Sequence, residues 1–164
     1  MVNGLVPGWP LAIFRVAFGL LYLDMALQKA PWKNYGWLQG FIQKEIDHPT
    51  FGFMAAFLRD VVLPNLDLFG MLTFVTELGL GLGLLTGTLT RLVALSGFLW
   101  QVNIALQAFN VPGEWFWIWP LLTLPQFTFA ACGAGRVAGV DALLRRSLDR
   151  TADSGWQRFL HLAT

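Results

Sequence analysis

The sequence predicts an all-α integral membrane protein: a four-helix bundle with an interfacial helix between spans 1 and 2 and a cytoplasmic amphipathic helix near the C-terminus. Three observations carry this expectation. Hydrophobic residues make up 55% of the 164 residues and charged ones only 13%, with a mean hydropathy of +0.55, far from the make-up of a water-soluble domain. Four windows, at about 9–29, 67–87, 92–109 and 115–133, are apolar over close to the ~20 residues that a bilayer crossing needs. Two ionisable residues, Arg15 and Glu77, sit inside apolar runs, where a charge marks a functional site by default. Residues 1–150 then form one membrane domain, and 151–164 a cytoplasmic tail.

The first span places Arg15, Gly19, Tyr22 and Lys29 on one helical face and Asp24 and Gln28 on roughly the opposite one. A guanidinium at membrane depth costs ~2.5–3.5 kcal/mol on insertion scales, so Arg15 requires a partner, and Glu77 is the natural one. Arg15 lies about 9 Å in from Trp9 and Glu77 about 15 Å in from Gly87 at 1.5 Å per residue, a difference that an arginine side chain can bridge. Two roles fit the pair, a lock between the first two helices or a part in chemistry.

Between the first two spans, Pro31 to Trp37 is aromatic and turn-rich, which suits the membrane interface. Asp47, His48 and Pro49 then signal the start of a short helix carrying Phe53, Phe57 and Leu58 and ended by Pro64, read as lying on the membrane surface or capping the bundle. His48 reads as a solvated loop histidine. The second span follows Glu77 with Gly79, Gly81 and Gly83, and Gly79 with Gly83 forms a small-xxx-small face for a close helix approach.

The third span presents Trp100, Asn103 and Gln107 on one face, with Gln101 displaced from it. Amides at that depth serve as interhelical hydrogen-bonding groups or as a polar wall for a quinone carbonyl. The fourth opens with Glu114-Trp115-Phe116-Trp117-Ile118-Trp119-Pro120. Its tryptophans fit an aromatic belt, and Pro120 and Pro125 kink the helix, so that indoles such as Trp115 and Trp117 also frame a flat slot for a quinone head. Gly135 ends the span. Asp141 then stands near the start of a basic helix whose Arg145 and Arg146 suit an anionic leaflet.

Charge and cysteine content narrow the function classes. The net charge of +1 leaves no electrostatic footprint for nucleic acid. The single cysteine, Cys132, excludes an internal disulfide and a cysteine-based metal cluster, and it reads as a small buried residue near a helix end. His48 and His161 lie outside the spans, and no glycine-rich nucleotide loop follows a strand, so no ligand set for metal, haem, iron–sulfur or flavin is visible. The N-terminus has no basic region and its apolar run carries Arg15, so the first span is expected to be retained. Six arginines on the Gly87–Arg91 turn and the C-terminal segment, against four bases on the long first connection, place both termini in the cytoplasm of a multi-pass inner-membrane protein.

The order Arg15-x-x-x-Gly19, Gln28-Lys29, Glu77-x-x-x-Gly81, Gly87-x-x-x-Arg91, Trp115-x-Trp117 and Gly133-Ala134-Gly135-Arg136-x-x-Gly139-x-Asp141 resembles the DoxX/DoxD family. Its nearest type is the DoxD small membrane subunit of thiosulfate:quinone oxidoreductase. The resemblance implies a four-helix membrane subunit that works with a DoxA-like partner polypeptide, in a complex that oxidises thiosulfate to tetrathionate and reduces quinone. From the residues' own placement, Glu77 and Arg15 are the catalytic candidates, and Asn103, Gln107, Trp115 and Trp117 the quinone-binding ones. A reading of another class is a non-catalytic accessory subunit of a larger respiratory or photosynthetic membrane assembly, motivated by the tryptophan-rich faces and the glycine contact surface.

Overall fold

The computed structural model describes residues 8–148, together with Leu160, Ala163 and Thr164. The tail expected at 151–164 therefore lies outside the described residues, apart from those three. Helices α1 (Trp9–Gln28), α2 (Gly36–Asp47), α3 (Gly52–Phe57), α4 (Leu66–Thr86), α5 (Thr90–Ala108), α6 (Ile118–Cys132) and α7 (Val140–Leu148) follow in order, with no strand among the described residues. Helix α1 packs along α4, α5 along α6, and α4 joins the two pairs through α5. The stretches Trp9–Gln28 and Gly52–Thr86 are long and apolar enough to cross a bilayer by length and composition, and α6 is a shorter apolar helix.

Closest approach occurs where α1 crosses α4. A Cβ on Gly19 would stand 2.6 Å from the backbone nitrogen of Leu85, and one on Gly81 would stand 2.9 Å from that of Leu23. Both are below any distance a real Cβ tolerates, so the crossing is backbone on backbone. The expected Gly79/Gly83 face is corrected accordingly. Gly79 has open space around it, and Gly83 receives Val93 of α5. Residues three and four apart on α4 share a face, and the face turned to α1 is that of Glu77, Gly81 and Leu84, all buried.

The connection between α1 and α4 holds two helices where one was expected. Asp47 ends α2 instead of starting a helix, and α3 begins only after Phe51. The glycines at 36 and 40 dilute the apolar pattern of α2, yet Ile42 meets Leu58 and Val62 in a small core of its own. Pro64 does not stop the chain. Without an N–H it cannot continue the α ladder, so Leu58–Val62 widens to a π turn, Leu63–Asn65 tightens to 3₁₀, and the Asn65 side chain donates to the Val61 carbonyl at 2.8 Å. His48 is exposed, as a solvated loop residue. Cys132, expected to be buried, is exposed at the last position of α6.

At the opposite end, Gly87 closes α4 in the left-handed conformation with φ 69°, and Gly133 rather than Gly135 closes α6 in the same way. Helix α5 starts at Leu89 with no cap from its own side chain. Asp141, 52 residues further on, supplies one: its Oδ1 accepts the Leu89 N–H at 2.7 Å and its Oδ2 the Thr90 N–H at 2.8 Å. The Asp141 N–H in turn donates to the Gly87 carbonyl at 2.9 Å. A carboxylate on two orphan amides at a helix N-terminus is favoured by both hydrogen bonding and the helix dipole.

Gly81→Ala should destabilise the protein by about 1–3 kcal/mol by forcing α1 from α4, whereas Gly79→Ala should be neutral or stabilising by up to about 1 kcal/mol. Asp141→Ala should cost about 2 kcal/mol by uncapping α5, and denaturant unfolding of the variants in detergent measures all three.

Candidate functional site

The α1–α4 register decides which charges meet. With Gly19 against Leu85 and Leu23 against Gly81, Arg15 falls opposite the Gly87 turn and Lys29 opposite Glu77. Side chains on a helix lean toward its N-terminus, so the Arg15 stem leans away from Glu77, and Lys29, at the C-terminal end of α1, leans back toward it. Lys29 Nζ accordingly donates to Oε1 and Oε2 of Glu77, each at 2.9 Å, and the Glu77 side chain is fully buried. The same ammonium lies 5.4 Å from the centroid of the Trp37 ring, within cation–π range.

The expected Arg15–Glu77 pair is thus replaced by Lys29–Glu77. Arg15 is 1% exposed and belongs to the other end of the protein. Its Nη2 donates to the Ala138 carbonyl at 3.2 Å, and Asp141 supplies the opposing charge. A Cβ on Gly87 would collide with its Nη1. Gly139 approaches the same nitrogen and Gly135 the Asp141 carboxylate, so the glycines of this region leave room for one buried arginine and its counter-charge.

Between α2 and the adjacent halves of α1, α4, α5 and α6 lies a cavity of about 520 Å³. Aromatic and aliphatic side chains form most of its wall, including Phe41, Phe69, Trp100 and Trp119, and Lys29 and Glu77 line it from α1 and α4. The buried Trp100 indole N–H is directed at the Glu77 carboxylate, short of good hydrogen-bond geometry, and the Trp119 indole N–H, also on the cavity wall, is buried without a partner among the described residues. Beside the cavity, Gln126 Nε2 donates to the Tyr22 hydroxyl at 2.6 Å and Tyr22 donates to Gln101 Oε1 at 3.3 Å, with all three residues buried.

The other expected binding residues separate. Asn103 and Gln107 line the cavity, although Asn103 is exposed and Gln107 Nε2 donates to the Asn103 carbonyl of its own helix. Trp115 and Trp117 do not line it. They stack on each other at 5.1 Å and are 64% and 45% exposed, because they precede α6 in the connecting loop and turn outward. Lys29, Trp100 and Gln101 are the residues of this region that helical spacing alone undervalued. Lys29 already shared the Arg15 and Tyr22 face, and only the antiparallel register matched it to Glu77. No group of three or more metal-ligating side chains gathers among the described residues.

Removing one member of a buried ion pair strands the other. Lys29→Met should lower stability by about 3–5 kcal/mol, and the double variant Lys29→Met/Glu77→Leu should recover most of that loss; unfolding of the two variants in nanodiscs distinguishes the pair from a surface contact.

A search of curated proteins and of solved structures gave no match. A family model does match, that described as "TQO small subunit DoxD", over residues 11–160. That span takes in both the buried arginine end and the Lys29–Glu77 cavity, as well as Gly19, Gly81, Gly87 and Gly133. Matched over nearly its whole length, this chain belongs to the DoxD family and is a membrane protein.

Proposed function

We propose that this chain is the quinone-binding membrane subunit of an oxidoreductase complex of the thiosulfate:quinone type, with the quinone head in the cavity above Lys29 and Glu77. The observation that carries the reading is the cavity's chemistry: a largely apolar wall bearing a buried ammonium, a buried carboxylate and two buried indole N–H groups, of Trp100 and Trp119, without a well-formed hydrogen bond among the described residues. Apolar slots with a few convergent polar groups are what flat ligands bearing polar ring oxygens fill. A buried donor without a well-formed hydrogen bond suits a carbonyl oxygen, since an unmet buried donor costs about 1–3 kcal/mol.

In this reading Lys29 and Trp100 donate to one ring oxygen and Glu77 relays a proton to it. Gln107 and Asn103 serve the rim. A bound quinone supplies the electron-accepting ring, and electrons come from a separate thiosulfate-oxidising polypeptide of the DoxA kind. Arg15 takes no part, since it donates to Ala138 at the other end of α1 and does not line the cavity. All four long helices cross the inner membrane, α2 and α3 lie at its outer face, α7 lies on the cytoplasmic leaflet and both termini are cytoplasmic, in keeping with the arginines of the Gly87–Arg91 turn and of α7.

A second reading, an accessory subunit without chemistry of its own in a larger respiratory or photosynthetic assembly, draws on the outward-facing aromatics Phe53 and Phe116, 74% and 72% exposed, surfaces suited to a partner as well as to lipid. Purification through a tag on this chain separates the readings. Bound quinone with a thiosulfate-oxidising partner favours the first, and a large pigment- or haem-bearing assembly without quinone at this chain favours the second.

For quinone binding to the chain in nanodiscs, Trp100→Phe should raise the Kd up to about tenfold by deleting one donor, and Glu77→Gln should weaken it as well. Trp115→Ala should leave it unchanged. Equal effects of Trp100→Phe and Trp115→Ala would refute the cavity as the binding site.

A further inference from the structure

One carboxylate of the cavity has no role in the quinone reading. Glu45 shares the buried face of α2 with Ile42 and is only 5% exposed, yet it lines the cavity and takes part in neither ion pair found among the described residues. An ionised carboxylate in that position is costly without a counter-charge. Of the cations that line the cavity, Lys29 is committed to Glu77 and Trp37, and Lys44 is exposed. The remaining charged lining group is Glu114, exposed in the loop before α6. The other lining residues from α3, α5 and α6 are uncharged.

The cavity therefore holds carboxylates at three levels: Glu77 at the inner end with its lysine, Glu45 inside the wall, and Glu114 at the surface. Burial first, and the nearby Glu114 charge second, push the Glu45 carboxyl up to about 8. At neutral pH it keeps its proton, and it gives the proton up within reach of physiological conditions, as a transfer group must. The folded chain binds a proton here from the ordinary carboxylate range up to about pH 8. Glu45 thus contributes stability that is present at low pH and lost as pH rises through that value.

We propose that Glu45 is the proton-exchange residue of the cavity, passing protons between the Glu77 end and Glu114 on the face that carries α2. The proposal rests on the quinone reading of the cavity. Reducing a quinone to its quinol adds two electrons and two protons to the two ring oxygens. The electrons come from the thiosulfate-oxidising partner, two thiosulfates joining through a new S–S bond as tetrathionate. The protons come through Glu45, which is reprotonated from the Glu114 side after each transfer.

The first test is infrared titration of the full chain in nanodiscs, free of quinone. A carboxylic-acid band should disappear with an inflection near pH 8, be absent in Glu45→Gln, and move to lower pH in Glu114→Gln. A band that survives Glu45→Gln overturns the proposal. The second uses the complex purified through this chain, with thiosulfate and a short-chain ubiquinone. Glu45→Gln should slow quinone reduction on the order of tenfold or more and flatten its pH profile, Glu45→Asp should restore part of the rate, and the quinone Kd should stay within about twofold. Unchanged rate and pH profile in Glu45→Gln, with quinone still bound, overturn the role of Glu45 alone. Failure of the unsubstituted chain to bind the ubiquinone overturns the cavity reading, and this proposal with it.

Discussion

Backbone contact between α1 and α4 at Gly19 and Gly81 is the constraint on which the rest of the structure depends. Two helices that touch at their backbones have almost no freedom to slide, since a shift by one turn would drive Leu23 or Leu85 into the opposing chain. The register so fixed brings Lys29 to Glu77 at one end and Arg15 to the Gly87 turn at the other. Neither pairing is reached by changing a rotamer. Both are consequences of where two glycines allow the axes to meet, and of side chains on a helix leaning toward its N-terminus.

The two ends differ in kind. Around Arg15 the surroundings are closed: Gly87, Gly135 and Gly139 press on the guanidinium or on Asp141, and Asp141 spends both oxygens on the first amides of α5. This is a knot that ties α1, the α4–α5 turn and the start of α7 together, closed tightly enough that Arg15 Nε and Nη1 are buried without a hydrogen-bond partner among the described residues. Around Lys29 and Glu77 the surroundings are open, with a cavity in place of packed side chains and the indole N–H groups of Trp100 and Trp119 on its wall. At this end the spare donors face a cavity that a ligand can enter.

Helix α2 makes the difference at the open end. Its Ile42 rests on the Leu58 and Val62 turns, and Phe41 packs near Ala108, Val111 and Trp119 where α5 and α6 join. The cavity thus has a roof of aromatic and aliphatic side chains, and Glu45 is carried into its wall on the same helix. The π turn and the Pro64 region keep α3 and α4 almost continuous, which holds that roof at a fixed height over the Lys29–Glu77 pair.

By itself the sequence determined the helical class, the limits of α1, α4, α5 and α6 to within a few residues, the polar face of α1 and the family. Each of these depends on local signals: apolar run length, the Gly87 turn, and the spacing of motif residues. It also singled out Glu77 as a buried charge. Tertiary structure alone decided which cation Glu77 meets, because Arg15 and Lys29 occupy the same face of α1 and only the crossing at Gly19 and Gly81 chooses between them. The same holds for Asp141, whose role as a cap for α5 spans 52 positions, and for Glu45, whose burial requires α2 to fold back over α5 and α6. Pairings between distant elements depend on register and crossing geometry, which no helical period records.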